Sequence, residues 1–315
     1  MFKKILFPTD FSLYANKVLE CIPDFKAAGL EEAILIHLIN PFKAARWSSI
    51  DQSIIEKVKL EAKMKMEELT AKISAKYGLR AKYLIVTGNI SEEITRTAKQ
   101  ENVSLIIMGG HGHSFTKDLM LGSTTEHVLR YTKIPLLIEK LQILEDKGGY
   151  DFTCKATFAK ILLPTDFSAC SQTAIQMVEE FKKFGAKEVV IAHIQDTRKL
   201  FPHLKHKIGE FNRIDTERLE NISQQLQLAG YKTKTVLKEG IPFMEINKIA
   251  ENEDVSMIVI GSYGRSAVKE ALVGTVSEAV ARHNVRPVML VPGNWKPDEA
   301  KKETNKVTCP QPAAS

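Results

Sequence analysis

Two nine-residue stretches of this chain are nearly identical: KILFPTDFS (Lys4 to Ser12) and KILLPTDFS (Lys160 to Ser168), differing only at Phe7 and Leu163. Asp10 and Asp166 lie 156 residues apart, as do His37 and His193, whereas Gly88 and Gly240, Gly109 and Gly261, and Gly122 and Gly274 lie 152 apart. A constant offset that drops once by four describes a duplication with one length change, placed between His37 and Gly88. At this spacing the copies are domains, because solenoid units recur every ~20 to 50 residues. A length of 315 residues also suits two domains at about 150 each.

Each copy alternates apolar runs with helical patterns. The expected strands are Lys4–Phe7, Ala33–Ile39, Lys82–Val86, Val103–Met108 and Pro135–Ile138, then Lys160–Leu163, Val189–Ile194, Thr233–Leu237, Val255–Ile260 and Pro287–Val291. Most are continuously apolar, as expected of strands covered on both faces. Between them, Ile55, Val58, Ala62, Met66, Leu69 and Ile73 recur at helical spacing, as do Leu219, Ile222, Leu226 and Ala229. Strand–helix alternation predicts α/β architecture: two tandem doubly wound (Rossmann-like) domains, each a five-stranded parallel sheet flanked by four helices. The domains are expected over 1–140 and 158–293. Residues 141–157, polar and broken by Gly148-Gly149, read as a linker, and 294–315 as a disordered tail.

Composition excludes several classes. Apolar residues at 44% and charged residues at 26% are ordinary for globular protein. No run approaches the ~20 apolar residues of a membrane helix, and Pro8 and Asp10 interrupt the start too early for a signal peptide. The net charge of +6 is spread along the chain and does not point to nucleic acid. Cys21, Cys154, Cys170 and Cys309 form neither a C-x-x-C pair nor a metal-ligand spacing, so reduced thiols in a cytoplasmic protein are expected.

In a doubly wound sheet, ligands bind beyond the carboxyl ends of the strands where strand order reverses. Directly after the fourth strand comes GGHGHSFTKDLMLGSTTEHV (Gly109 to Val128), and in the second copy GSYGRSAVKEALVGTVSEAV (Gly261 to Val280). Both read Gly, two residues, Gly, nine residues, Gly, then Ser or Thr. The frame uses Gly109, Gly112, Gly122 and Ser123, and Gly261, Gly264, Gly274 and Thr275. Glycines there let backbone N–H groups approach an anion, and the helix that follows turns its unpaired amides and positive dipole end to the same point. The hydroxyls of Ser123, Thr125, Thr275 and Ser277 can donate to phosphate or cap that helix. Turn glycines and helix caps alone are the competing account. Against it, the intervening residues differ between the copies while the frame stays. The patterns G-x-x-x-x-G-K-[ST] and G-x-G-x-x-G are both absent.

Asp10 and Asp166 end their first strands beside this loop. A carboxylate does not favour phosphate, but it accepts hydrogen bonds from an adenine amino group or a ribose hydroxyl. Capping the following helix is the other reading of the same residue. His111 and His113, two apart with no nearby Cys, do not make a metal site.

Together, Pro8-Thr9-Asp10, Pro164-Thr165-Asp166, His37-Leu38-Ile39, His193-Ile194-Gln195 and the two glycine frames resemble the universal stress protein family, in its tandem-domain, ATP-binding branch. The resemblance implies adenine near Asp10 and the Leu38 backbone, or Asp166 and Ile194, flanked by Pro8, Thr9 and Met108, or Pro164, Thr165 and Ile260. It implies ribose and phosphates along Gly109, Gly112, His113, Gly122, Ser123, Thr124 and Thr125. The second set is Gly261, Gly264, Arg265, Gly274, Thr275, Val276 and Ser277. Mg²⁺ or Mn²⁺ would accompany the phosphates, with no metal site made by protein side chains alone. His113 and Arg265 differ between copies, so the two sites would grip phosphates unequally. The resemblance further implies a pseudo-dimer of the two halves through Pro135–Ile138 and Pro287–Val291, with a homodimer of chains also open.

The expected function is thus an ATP-binding stress-response module with two sites, whose nucleotide occupancy changes its docking to a regulatory protein partner. A slow Mg-dependent ATP hydrolase or phosphotransferase is the alternative; no base, nucleophile or arginine finger is apparent around the loop, so no catalytic residue is assigned. A scaffold that binds no nucleotide is the third reading, and eroded glycines would be its sign.

Overall fold

The computed structural model describes residues 1–40, 52–110, 121–144, 149–152, 157–200, 205–262 and 274–297. The chain divides into two compact units, Met1–Lys155 and Ala156–Ser315.

In the first unit, β1 (Lys4–Pro8), β2 (Glu32–Ile39), β3 (Arg80–Thr87), β4 (Leu105–Gly109) and β5 (Leu136–Glu139) form a parallel array in the order β5-β4-β1-β2-β3. The inner strands carry unbroken apolar runs because helices cover both faces; Ala33, Ile34, Leu35 and Ile36 on β2 are all fully buried. The first crossover is broken into Leu13–Val18 and Ile22–Ala27, with a 3₁₀ turn over Leu19–Cys21. Pro23 accounts for the break, since it lacks the N–H that would bond to the Leu19 carbonyl and its ring crowds that oxygen. In the second copy Glu179 stands at the equivalent place, and the helix Ala169–Phe181 is continuous. The remaining crossovers are Gln52–Tyr77, Ile90–Gln100 and Ser123–Tyr131. Of the stripe expected on Gln52–Tyr77, Ala62, Met66 and Ile73 are buried, while Val58 and Leu69 are half-buried.

Two further strands lie in the segment 141–157 expected to be a linker. There β6 (Leu141–Leu144) and β7 (Gly149–Phe152) pair antiparallel, with Leu141 opposite Phe152. Cys21, fully buried, is disulfide-bonded, so the expectation of reduced thiols does not hold there; Cys170 is a free thiol.

The second unit repeats the plan with β8 (Lys160–Pro164), β9 (Glu188–Asp196), β10 (Lys232–Gly240), β11 (Met257–Gly261) and β12 (Val288–Val291) in the order β12-β11-β8-β9-β10. Its main crossovers are Ala169–Phe181, Ile208–Leu228, Pro242–Asn252 and Thr275–His283, with a short turn of helix at Thr197–Leu200. Leu219, Ile222 and Leu226 bury one face of the longest helix. The outer strand β10 carries Lys232, Lys234 and Lys238, charges that discourage further strand addition. Among the described residues, no helix is long and apolar enough to cross a membrane. In each unit the chain leaves the first strand in one direction and returns on its other side with the fourth, so the switch points lie between β1 and β4 and between β8 and β11.

Candidate functional site

At each switch point the Pro-Thr-Asp-Phe-Ser segment forms the same tight turn. The Asp10 Oδ1 accepts from the Ser12 amide at 3.0 Å, and the Asp166 Oδ1 from the Ser168 amide at 3.1 Å. The Thr9 and Thr165 hydroxyl oxygens accept from the amides of Phe11 and Phe167 at 3.1 and 3.0 Å. These bonds hold both phenylalanines in the left-handed region, at φ of 62° and 59°. The helix caps are Ser12 and Ser168, which accept from the amides of Ala15 and Ser171. Capping therefore falls to the serine two residues beyond each aspartate, and the aspartates brace the turn.

A histidine from the neighbouring strand completes each turn. His37 Nδ1 lies 2.9 Å from the Thr9 carbonyl oxygen, and His193 Nδ1 lies 2.7 Å from that of Thr165. A carbonyl only accepts, so Nδ1 carries the proton in both. The rings pack on Phe11 and Phe167 with centroids 4.3 and 4.5 Å apart. On those phenylalanines sit the Lys65 ammonium, 5.3 Å from the Phe11 centroid, and the Arg218 guanidinium, 5.4 Å from that of Phe167. Burial lowers the His37 pKa, outweighing the Thr9 hydrogen bond and Asp10, so this imidazole is neutral near pH 7 and offers Nε2 as an acceptor.

The glycine frame supplies the other wall. The Gly122 amide donates to the Gly110 carbonyl at 2.8 Å and the Gly274 amide to the Ser262 carbonyl at 2.6 Å, which ties each helix start to the residue after the fourth strand. The following helices begin at Gly122 and Gly274, whose carbonyls accept the first bonds, from Glu126 and Glu278. The amides of Ser123, Thr124 and Thr125, and of Thr275, Val276 and Ser277, thus have no intrahelical acceptor. Neither helix has a side-chain cap. Instead Thr125 Oγ1 donates to the Gly109 carbonyl at 2.9 Å and Ser277 Oγ to that of Gly261 at 2.7 Å, pinning helix start to strand end. The hydroxyl protons of Thr125 and Ser277 are engaged there. Gly261 has a packing reason as well, because an added Cβ would lie 2.9 Å from the Cys170 carbonyl oxygen.

In the second unit these pieces enclose a cleft of about 490 Å³. Pro164, Thr165, Asp166, Ile194, Ile260, Gly261, Gly274, Thr275, Val276 and Ser277 all line it. In the first unit, Pro8, Thr9 and Asp10 end β1, Leu38 follows His37 on β2, and Met108 and Gly109 end β4 beside the start of the Ser123–Tyr131 helix. Gly112, His113, Gly264 and Arg265 lie outside the described residues.

Sequence reasoning missed the wall contributed by the helix Ile208–Leu228. Phe211, Ile214, Asp215 and Arg218 line the cleft from it, joined by Gln195, Pro242 and Ile246. Their spacing of three, four and seven residues marks one helical face and was the available signal. Asp215 is the hub: its Oδ2 accepts from Gln195 Nε2 at 2.9 Å and lies 3.5 Å from His193 Nε2, and its Oδ1 lies 3.5 Å from Arg218. No group of three or more His, Cys, Asp or Glu side chains placed to hold a metal occurs among the described residues.

Comparison with known proteins agrees with this architecture. The model of the universal stress protein family matches residues 1–140 and 157–292. Universal stress protein MJ0577 of Methanocaldococcus jannaschii is 36% identical over 153 residues, covering 42% of this chain and 94% of that protein. Universal stress protein YxiE of Bacillus subtilis is 31% identical over 146 residues, covering 42% of this chain and 99% of its own. The crystal structure of a universal stress protein from Archaeoglobus fulgidus superposes with a TM-score of 0.70 at 27% identity, across 92% of this chain and 96% of that one.

Proposed function

The chain belongs to the universal stress protein family, and from that premise we propose that each unit binds ATP at its switch point and that occupancy regulates docking to a protein partner. The observation that carries this reading is the cleft of about 490 Å³ in the second unit, which runs from Asp166 to the amino end of the helix Thr275–His283. Its two ends differ in chemistry. At one, Asp166 and the backbone of Ile194 offer acceptors suited to adenine and ribose. At the other, the amides of Thr275, Val276 and Ser277, which have no intrahelical acceptor, and the positive end of the helix suit phosphate.

The first unit carries the same turn at Asp10 and the same pinned helix start at Thr125, which supports an equivalent site there. A Mg²⁺ or Mn²⁺ ion fits as a companion of the phosphates, because the protein offers amides to their oxygens and leaves other oxygens for the ion. Mass spectrometry of denatured purified protein tests the reading: released adenine nucleotide supports it, and release of flavin in its place contradicts it. A turnover assay with Mg²⁺ then separates a binding module from a slow hydrolase.

A further inference from the structure

The two sites are not chemically equal. Lys65 and Arg218 occupy corresponding places over Phe11 and Phe167. Three residues before the arginine stands Asp215; three before the lysine stands Ala62, buried. One strand over, Gln195 corresponds to Ile39, also buried. The pair Gln195–Asp215 therefore has an apolar counterpart, Ile39 and Ala62, in the first unit.

Gln195 lines the cleft, is only 4% exposed, and has an Oε1 with no hydrogen-bond partner. A carboxylate accepts and does not donate, so the 2.9 Å contact with Asp215 Oδ2 fixes Nε2 toward the aspartate and turns Oε1 away from it. The amide cannot rotate to find another partner without breaking that charge-assisted bond. An unsatisfied buried carbonyl is costly, and a ligand N–H admitted by a small shift of the cleft wall relieves it. Gln195 follows Ile194 on β9, the residue whose backbone is assigned to the base, and both line the cleft.

We infer that Gln195, oriented by Asp215, accepts a hydrogen bond from the exocyclic amino group of a purine bound in the second site, a contact for amino-bearing bases that the first site lacks. The inference rests on the nucleotide reading above and adds a specificity-determining residue to it. Inosine triphosphate, which carries a carbonyl in place of the amino group, is the probe.

Calorimetric titration of the full chain carrying Gly122→Val, which disables the first site, should show ATP binding about tenfold tighter than inosine triphosphate. Gln195→Leu and the volume-conserving Gln195→Met should lower that ratio severalfold, and Asp215→Asn should reduce it by freeing the amide to turn. An unchanged ratio in both Gln195 variants overturns the role of Gln195 while leaving ATP binding intact. Failure of the Gly122→Val chain to bind either nucleotide overturns the nucleotide reading itself.

Discussion

The ring of Phe167, held at φ of 59°, lies with its centroid 4.5 Å from that of His193, and Phe11 meets His37 in the same way at 4.3 Å. A left-handed backbone costs a non-glycine residue roughly 1–2 kcal/mol, so each turn carries strain that its hydrogen bonds and ring packing offset. Phe167→Ala keeps the strain and loses the stack, whereas Phe167→Gly loses the stack and relaxes the backbone. Urea denaturation should find both variants less stable than the parent, with the glycine variant about 1 kcal/mol more stable than the alanine variant. An alanine variant at least as stable as the glycine variant contradicts this account of the turn.

Two glycines of the frame serve different ends. Gly261→Ala places a Cβ against the Cys170 carbonyl at 2.9 Å, a backbone contact that cannot swing aside, and should destabilise the second unit by about 1–3 kcal/mol with no ligand involved. Gly122 has φ of −62°, which any residue adopts, so Gly122→Ala should lose only the N-cap preference for glycine over alanine, about 0.5–1 kcal/mol in stability. Thermal unfolding of the two variants checks this. Equal destabilisation would show that glycine at 122 is also needed for packing.

Much of the architecture was legible because the chain states it twice. The apolar runs marked all ten strands of the two parallel arrays, and the offset tied each element to its copy. The left-handed phenylalanines left no comparable mark: the Asp-Phe-Ser turn depends on an Asp side chain accepting from the amide two residues on, a local bond that competes with the capping reading. The β6–β7 pair is harder to read, because Gly148-Gly149 suggests a break. Yet the alternation in Leu141-Gln142-Ile143 and Tyr150-Asp151-Phe152 is a strand signal. Gln195 and Asp215 meet only once the helix Ile208–Leu228 packs over β9, and a contact twenty residues apart has no period to announce it.

Burial pushes the Glu139 carboxyl up to about 8 from 4.5, with the charge of Asp24 adding to the same direction. A carboxyl whose pKa is raised on folding favours the folded state in its protonated form. Its contribution is full below the unfolded value, near 4.5, and is lost as pH rises through about 8. Urea midpoints should therefore fall between pH 5 and pH 8.5, and Glu139→Gln should flatten the slope over that interval. A slope of the same size in the variant would assign the dependence to other groups.

Asp10 braces its turn through the Ser12 amide at 3.0 Å, and a carboxylate has acceptor capacity beyond that bond. If it reads the nucleoside, Asp10→Ala should weaken ATP at the first site by about tenfold or more and inorganic tripolyphosphate far less. Competition titrations of the two ligands give the ratio. An equal effect on both would confine Asp10 to bracing the turn.

Each switch point is held to bind one nucleotide by its sugar-and-base end at the aspartate and by its phosphates at the helix start. Isothermal titration of the nucleotide-free, folded chain with ATP and Mg²⁺ tests this most directly. Saturable heat fitting two sites per chain is the predicted result; the absence of any binding heat from ATP with either Mg²⁺ or Mn²⁺ would contradict it.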